Sequence, residues 1–119
     1  MAIKESPRSS QLLKEENKEM FIVVTVTYPP DKTTQIVKKF LKGAEKPLPS
    51  FIKPGHVLTA PGGELGIKTL AIYEIDDAKF KEGVKELAKR YTQFYDVEGF
   101  RYGMEPMLST TEAIPLLGI

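Results

Sequence analysis

The chain of 119 residues has no cysteine, no tryptophan and a single histidine, His56. The lack of cysteine excludes disulfides, thiolate nucleophiles and cysteine-ligated clusters, and one histidine leaves few zinc geometries. We therefore expect no metal and no cofactor. An excess of one charge is also lacking, because 17 basic and 16 acidic residues leave a net charge of +1. No overall field attracts nucleic acid or an anionic membrane, so neither is an expected partner.

Long apolar runs are missing as well. The longest apolar stretch, residues 21–26, includes Thr25 and is far shorter than the roughly 20 residues that a membrane-spanning helix needs. The first residues lack the basic start and apolar run of a secretory signal. We expect a cytoplasmic protein, and the composition, 41% hydrophobic and 28% charged, is typical of a globular domain.

The residue pattern divides the chain into three parts. Residues 1–19 balance basic against acidic side chains and contain few large apolar groups, so this leader cannot bury a core, although Ser9 or Ser10 could begin a short helix there. Residues 20–112 form the patterned domain. Residues 113–119 are a short apolar tail, which we expect to dock on its own subunit or on a partner.

The first half of the domain predicts a strand followed by a helix. Residues 21–28 are β-branched and aromatic and are stopped by two prolines. Residues 31–43 carry a helical apolar stripe that Gly43 closes, and the prolines up to Pro54 predict an extended connection.

The second half predicts a hairpin, a helix and a last strand. The hairpin joins residues 55–60 to residues 66–75 through Pro61-Gly62-Gly63. Asp76 and Asp77 supply the cap of a helix whose apolar stripe runs from Phe80 to Tyr95. A strand over residues 99–108 alternates apolar and polar positions, and Ser109 and Glu112 have capping-box spacing.

This order, β-α-β-β-α-β, predicts an α+β protein with the ferredoxin-like fold: a four-stranded antiparallel sheet with two helices on one face. The strands are apolar on both sides, since Ile22 and Val24 alternate with Phe21 and Val23. Such strands require cover on both faces, and the helices supply only one layer. We therefore predict a homodimer that buries the open sheet face of each copy.

The chain resembles the dimeric α/β-barrel group of ferredoxin-like proteins, and more narrowly a small family described only as a domain of unknown function. The resemblance covers about residues 20–112 and lies in four segments, namely Tyr28-Pro29, Ala60-Pro61-Gly62-Gly63, Tyr73-Glu74-Ile75-Asp76-Asp77 and Glu105-Pro106-Met107-Leu108. It implies two sheets packed face to face. The group includes monooxygenases, isomerases, haem proteins and ligand-sensing modules, so the resemblance predicts the fold more closely than the activity.

This chain lacks the residues that several activities of that group require. Relatives that degrade haem use an Asn, a Trp and a His, whereas this chain has no tryptophan and its one asparagine is Asn17 in the leader. Metal-transport relatives need a Cys-x-x-Cys pair, which is absent. RNA-binding relatives stack bases on aromatics of two central strands, and the third strand offers only Tyr73.

The candidate catalytic residues are His56, Tyr73 and Arg101. Histidine is the residue type most often used for proton transfer, and a tyrosine beside a cation can stabilise an oxyanion. The candidate ligand-binding residues are Tyr28, Tyr102 and Glu105, with the tyrosines lining a hollow between sheets. The alternatives are a surface histidine, tyrosines that fill the core, and salt bridges between subunits from Arg101 and Glu105.

Three hypotheses for the function remain open. The first, which the residues favour, is a homodimer that binds a small apolar or aromatic ligand between sheet and helices. The second is a cofactor-independent enzyme, monooxygenase-like or isomerase-like, acting through His56, Tyr73 and Arg101. The third is a subunit or assembly factor that uses its leader and tail to contact a larger complex.

Overall fold

The computed structural model of the chain describes residues 19–64 and 66–118. The predicted leader helix lies outside the described residues. The strands are β1 (Glu19–Tyr28), β2 (Ile52–Ala60), β3 (Ile67–Asp76) and β4 (Arg101–Met107), and the helices are α1 (Thr33–Gly43), α2 (Phe80–Thr92) and α3 (Thr110–Ala113). Short 3-10 turns precede α1 and α2 and follow α3.

The four strands form one open sheet in the order β2-β3-β1-β4, and all three neighbouring pairs are antiparallel. The predicted α+β class and the antiparallel four-stranded sheet are confirmed. Strands β1 and β3 lie at the centre of the sheet, while β2 and β4 are its edges. The edges are the strands that each expose one row of backbone groups.

The two faces of the sheet differ in burial. Along β1, Ile22, Val24, Val26 and Tyr28 are buried, and they share one core with Ile36 of α1 and with Leu87 and Tyr91 of α2. The alternating residues 21, 23, 25 and 27 on the opposite side are only partly covered. The prediction that β1 carries apolar residues on both faces is confirmed. We call the side away from the helices the open face.

The predicted start of β2 is wrong by three residues. The strand begins at Ile52 rather than at residue 55 and contains Pro54, whose Cα lies opposite that of Tyr73. Proline is tolerated there because β2 is an edge strand and its pairing register shifts between Pro54 and Val57. The hairpin itself is confirmed. Its turn ends at Gly66, whose φ of 96° is a left-handed conformation that favours glycine.

The predicted end of the second helix is also wrong. Helix α2 stops at Thr92, and Tyr95 is 64% exposed instead of lying on the buried stripe. A series of turns follows, in which Phe94, Val97 and Phe100 are buried. These three residues are part of the core although they lie outside any regular element. The β4 strand consequently begins at Arg101, two residues later than predicted.

The predicted capping residues Asp76 and Ser109 make their bonds, but Asp76 caps the 3-10 turn that precedes α2, and α2 itself begins after Lys79 without a side-chain cap. The Asp76 side chain accepts a hydrogen bond from the Ala78 amide, and the Ser109 hydroxyl accepts one from the Glu112 amide. Helix α3 crosses the predicted boundary between domain and tail at residue 112. Beyond it, Leu116 and Leu117 are 74% and 68% exposed, so neither is packed within the described part of the chain. No helix of the described residues is long and apolar enough to cross a membrane.

Candidate functional site

A cleft of about 400 Å³ lies between the C-terminal halves of α1 and α2, beside the connection that follows α1. Three elements line it because Gly43 ends α1 and the chain turns at once through Ala44 towards Pro47 and Leu48. The sheet contributes Tyr73 of β3. The volume is at the small end of the range of about 300–1,000 Å³ that is usual for ligand sites.

The rim of the cleft is rich in positive charge. It carries one carboxylate, Glu86, and four basic side chains: Lys39, Lys46, Lys89 and Arg90. Three of the four cations have partners within the described residues. The Lys39 ammonium lies 2.9 Å from the Asp96 carboxylate, and the Lys89 ammonium lies 3.2 Å from that of Glu86.

Arg90 joins the two helices across the cleft. One guanidinium nitrogen, Nη1, donates to the Gly43 carbonyl at 3.2 Å, and Nη2 donates to the Lys46 carbonyl. The last carbonyls of a helix have no partner within the helix, and that of Gly43 accepts from the Lys46 amide at 3.1 Å as well as from the guanidinium. Arg90 therefore fixes the position of the connection on which Lys46 lies. The Lys46 ammonium itself makes no ion pair with any described residue.

The floor of the cleft is aromatic. Phe40, Tyr91 and Phe94 are in mutual ring contact, with centroids separated by 5.6–6.5 Å. The hydroxyls of Tyr73 and Tyr91 are 2.7 Å apart and share one hydrogen bond. Because each hydroxyl has a single proton, that bond uses one proton and leaves the other available to a further acceptor. The floor is thus apolar with one polar point.

Burial raises the pKa of the Tyr91 hydroxyl far above its usual range, and the neighbouring Tyr73 adds to the effect. In the unfolded chain Tyr91 loses its proton near pH 10, whereas in the folded chain it keeps it. We therefore expect the free energy of unfolding to fall as the pH rises above about 10, by roughly 1.4 kcal/mol per pH unit from this residue. The variant Tyr91→Phe should lack this contribution. Urea unfolding between pH 9 and 11.5 measures the difference, and parallel profiles for the two proteins would contradict it.

The structure does not bring the three candidate catalytic residues together within one chain. Tyr73 is on the helix-facing side of the sheet and bonds to Tyr91. Arg101 is exposed, and its Cα lies opposite that of Thr27 on the open face. His56 is exposed and lies on the opposite edge strand, within the irregularity of β2. Within the part of the chain that the structure describes, Tyr73 lines the cleft, whereas His56 and Arg101 do not.

The candidate ligand-binding residues also divide between the two faces. Tyr28 is 7% exposed in the core, and Tyr102 packs against that core from β4. Both tyrosines lie between sheet and helices, so the expectation that they line a hollow between sheets is wrong. Alternation along the strands is the reason, because Tyr102 lies opposite the buried Val26. Glu105 lies opposite Val23 on the open face and is exposed.

Most residues of the cleft could not be identified from the sequence. Lys39 and Lys46 belong to a basic run that is equally typical of a solvated helix surface. Arg90, Tyr91 and Phe94 come from a segment 44 to 54 residues away from their partners on α1 and its connection. No spacing rule joins them. Among the described residues, no group of three or more His, Cys, Asp or Glu side chains lies together in a way that could hold a metal ion.

The fold and the cleft together define an α+β protein with an open antiparallel sheet and a basic, aromatic-floored cleft. No protein-family model matches the chain, and no curated protein matches it either. Among solved structures, it is similar to the de novo designed protein Foldit4, with a TM-score of 0.53, 14% identity, and coverage of 76% of this chain and 98% of that one. At this identity the likeness concerns the fold alone.

A second solved structure is described as a candidate aminohydrolase from methicillin-resistant Staphylococcus aureus. The TM-score is 0.47 and the identity 12%, with 77% of this chain and 29% of that chain covered.

Proposed function

We propose that this chain is a ligand-binding protein with the ferredoxin-like fold, which works as a homodimer joined through the open faces of its two sheets. Each subunit would hold a small apolar or aromatic molecule between sheet and helices, in the cleft described above. The observation that carries the dimer is the open face itself, where no helix of the described residues packs on the apolar side chains of the central strands.

The assignment to the ferredoxin-like fold is supported by two observations. The main elements follow one another as strand, helix, strand, strand, helix, strand, which is the order of that fold. The two central strands, β1 and β3, are paired antiparallel over their full ten residues. The resemblance to the dimeric α/β-barrel group agrees with both, since its members pack two such sheets face to face.

The apolar part of the open face lies across the middle of the sheet. Pairing places Val23 of β1 beside Ile72 of β3, and Thr25 beside Leu70, which in turn lies opposite Leu58 of β2. Val23, Leu70 and Ile72 are partly covered, whereas Leu58 is 55% exposed. Contiguous apolar surface that is open to water is characteristic of sites of association with another chain.

The charges on the open face suit a second copy of the same chain. Arg101 and Glu105 lie on β4 on either side of Gly103, about 13 Å apart at about 3.3 Å per residue. Neither makes an ion pair with a described residue. A twofold axis that runs between the two sheets, parallel to the row of Gly103 and Thr25, would place Arg101 of each copy opposite Glu105 of the other. Such self-complementarity is characteristic of twofold interfaces.

Analytical ultracentrifugation of the wild type and of charge-exchange variants tests this dimer. We expect a dimer at micromolar concentration, and each single variant, Arg101→Glu or Glu105→Arg, should weaken it at least about tenfold because two ion pairs become two repulsions. The double variant should recover most of the affinity. A wild type that is a stable monomer at micromolar concentration would overturn the proposal, and a double variant as weak as the single ones would overturn the orientation of the two sheets.

A further inference from the structure

We infer that the molecule bound in the cleft is an anion: a small aromatic body that carries a carboxylate or an equivalent negatively charged group. This inference rests on the proposed function, because it specifies the ligand of the same cleft. The observation behind it is the combination of an aromatic floor with a rim on which basic side chains outnumber acidic ones by four to one.

The floor determines the apolar part of the ligand. The rings of Phe40, Tyr91 and Phe94 meet at the bottom of the cleft, and Leu48 closes it from the connection after α1. Aromatic surfaces prefer ring partners at offset or edge-to-face contacts, so a flat aromatic body is the best match. With about 400 Å³ of space, the cleft accommodates a body of one or two rings rather than a long chain.

The rim determines the charge of the ligand. Lys39 and Lys89 already neutralise carboxylates of the chain, and Arg90 donates to two backbone carbonyls, which use two of its five N–H donors without cancelling its charge. Lys46 has no acidic partner among the described residues. The described residues therefore leave two positive charges uncompensated at the mouth of the cleft, one on the exposed Lys46 and one on the half-buried Arg90. Hydrogen bonds from such charged donors to an anion are stronger than those between neutral groups.

A neutral or cationic ligand would match the charges of the rim less well than an anion does. A cation would meet repulsion from Lys46 and Arg90, and a neutral aromatic molecule would use the floor but none of the charge. An anionic group placed between the two cations would reach the ammonium of Lys46 while its ring rests on the floor. The Tyr73–Tyr91 hydroxyl pair offers one further proton to an acceptor on the ring.

The test compares two probes of the same shape, naphthalene carboxylate, which is an anion, and naphthalene carboxamide, which is neutral, in an amide NMR titration of the full chain. The carboxylate should bind about tenfold more tightly than the carboxamide, which corresponds to one charge-assisted hydrogen bond. Shift changes for both probes should concentrate at residues 40–48 and 86–94. The variant Lys46→Glu should abolish the advantage of the carboxylate and leave the affinity for the carboxamide unchanged.

Lys81→Glu is the matched control, because Lys81 is an exposed residue of α2 that does not line the cleft and the change in net charge is the same. Equal binding of the two probes at these residues would overturn the inference about charge and leave the proposed ligand site standing. Binding of neither probe would overturn the ligand site itself. An equal loss of carboxylate affinity in both variants would show a response to net charge alone, and it would also overturn the inference.

Discussion

Replacing Leu70 with aspartate is expected to turn the proposed homodimer into a folded monomer. Leu70 is a partly covered residue of the open face, at the centre of the row formed with Leu58 and Thr25. The proposed twofold axis runs along this row between the two sheets and brings Leu70 of one copy close to Leu70 of the other. The single change therefore introduces two carboxylates into one apolar contact. Desolvation and mutual repulsion should together cost about 3 kcal/mol or more, which weakens association more than about a hundredfold.

Sedimentation equilibrium over a range of protein concentrations measures this loss. Circular dichroism and thermal unfolding show whether the monomer is folded, which we expect because Leu70 does not belong to the buried core of the subunit. The control is Leu41→Asp, since Leu41 is 66% exposed on α1 and lies away from the sheet. A Leu70→Asp protein that dimerises as tightly as the Leu41→Asp protein would contradict an interface at the open face.

The alternation of side chains made most of the sheet predictable. Because consecutive strand residues point to opposite faces, the pattern of β1 identified Ile22, Val24 and Val26 as one side, and these residues are indeed buried. The same rule placed Arg101 and Glu105 on one face of β4, where both are exposed. The capping residues were predictable as well, since a cap is a contact between residues close in sequence.

The errors occur where local pattern and tertiary position differ. Pro54 suggested a connection, but it is accepted in β2 because that strand is at the edge of the sheet, which no local pattern reveals. Tyr95 continued the helical period of α2, yet the helix ends at Thr92 and the turns that follow bury Phe94 in its place. An apolar period therefore located the helix but not its end.

The cleft could not be predicted from the sequence, and the reason is a different one. Its floor and rim depend on contacts between α1 and the end of α2, such as the Arg90 guanidinium on the Gly43 and Lys46 carbonyls. In the sequence, Arg90 is one basic residue among several in a polar helix, and nothing distinguishes it from Lys85 or Lys89. The position of two helix ends relative to each other is a property of the packed fold, so the pattern of neither helix contains it.

Replacing Gly83 with valine is expected to destabilise the subunit by about 3 kcal/mol, although removing a glycine from the middle of a helix ordinarily stabilises it. Gly83 is buried in α2 where the helix crosses β3. A Cβ atom at this position would lie 2.6 Å from Cγ2 and 2.7 Å from Cδ1 of Ile75, a side chain that is fully buried. Helix and sheet approach each other this closely only because residue 83 has no side chain.

The cost of the clash should exceed the gain in helix propensity even for the smallest substitution. Gly83→Ala gains up to about 1 kcal/mol as a better helix former, but it must displace Ile75 or shift α2 away from the sheet, at about 1–3 kcal/mol. Urea unfolding should therefore show a modest net loss for Gly83→Ala and a larger one for Gly83→Val. In the double variant Gly83→Ala with Ile75→Ala, the loss should be smaller than the sum of the two single losses, because the colliding atoms are gone.

Gly43→Ala provides the matched control for this prediction. Gly43 is also helical, as the last residue of α1, and a Cβ atom there would meet nothing within 4 Å. The substitution should leave the free energy of unfolding unchanged or raise it by up to about 1 kcal/mol. If alanine at position 83 were as well tolerated as alanine at position 43, the close approach of α2 to β3 would not be a constraint on the core. A loss confined to position 83 would instead identify the contact between Gly83 and Ile75 as what sets the distance between helix and sheet.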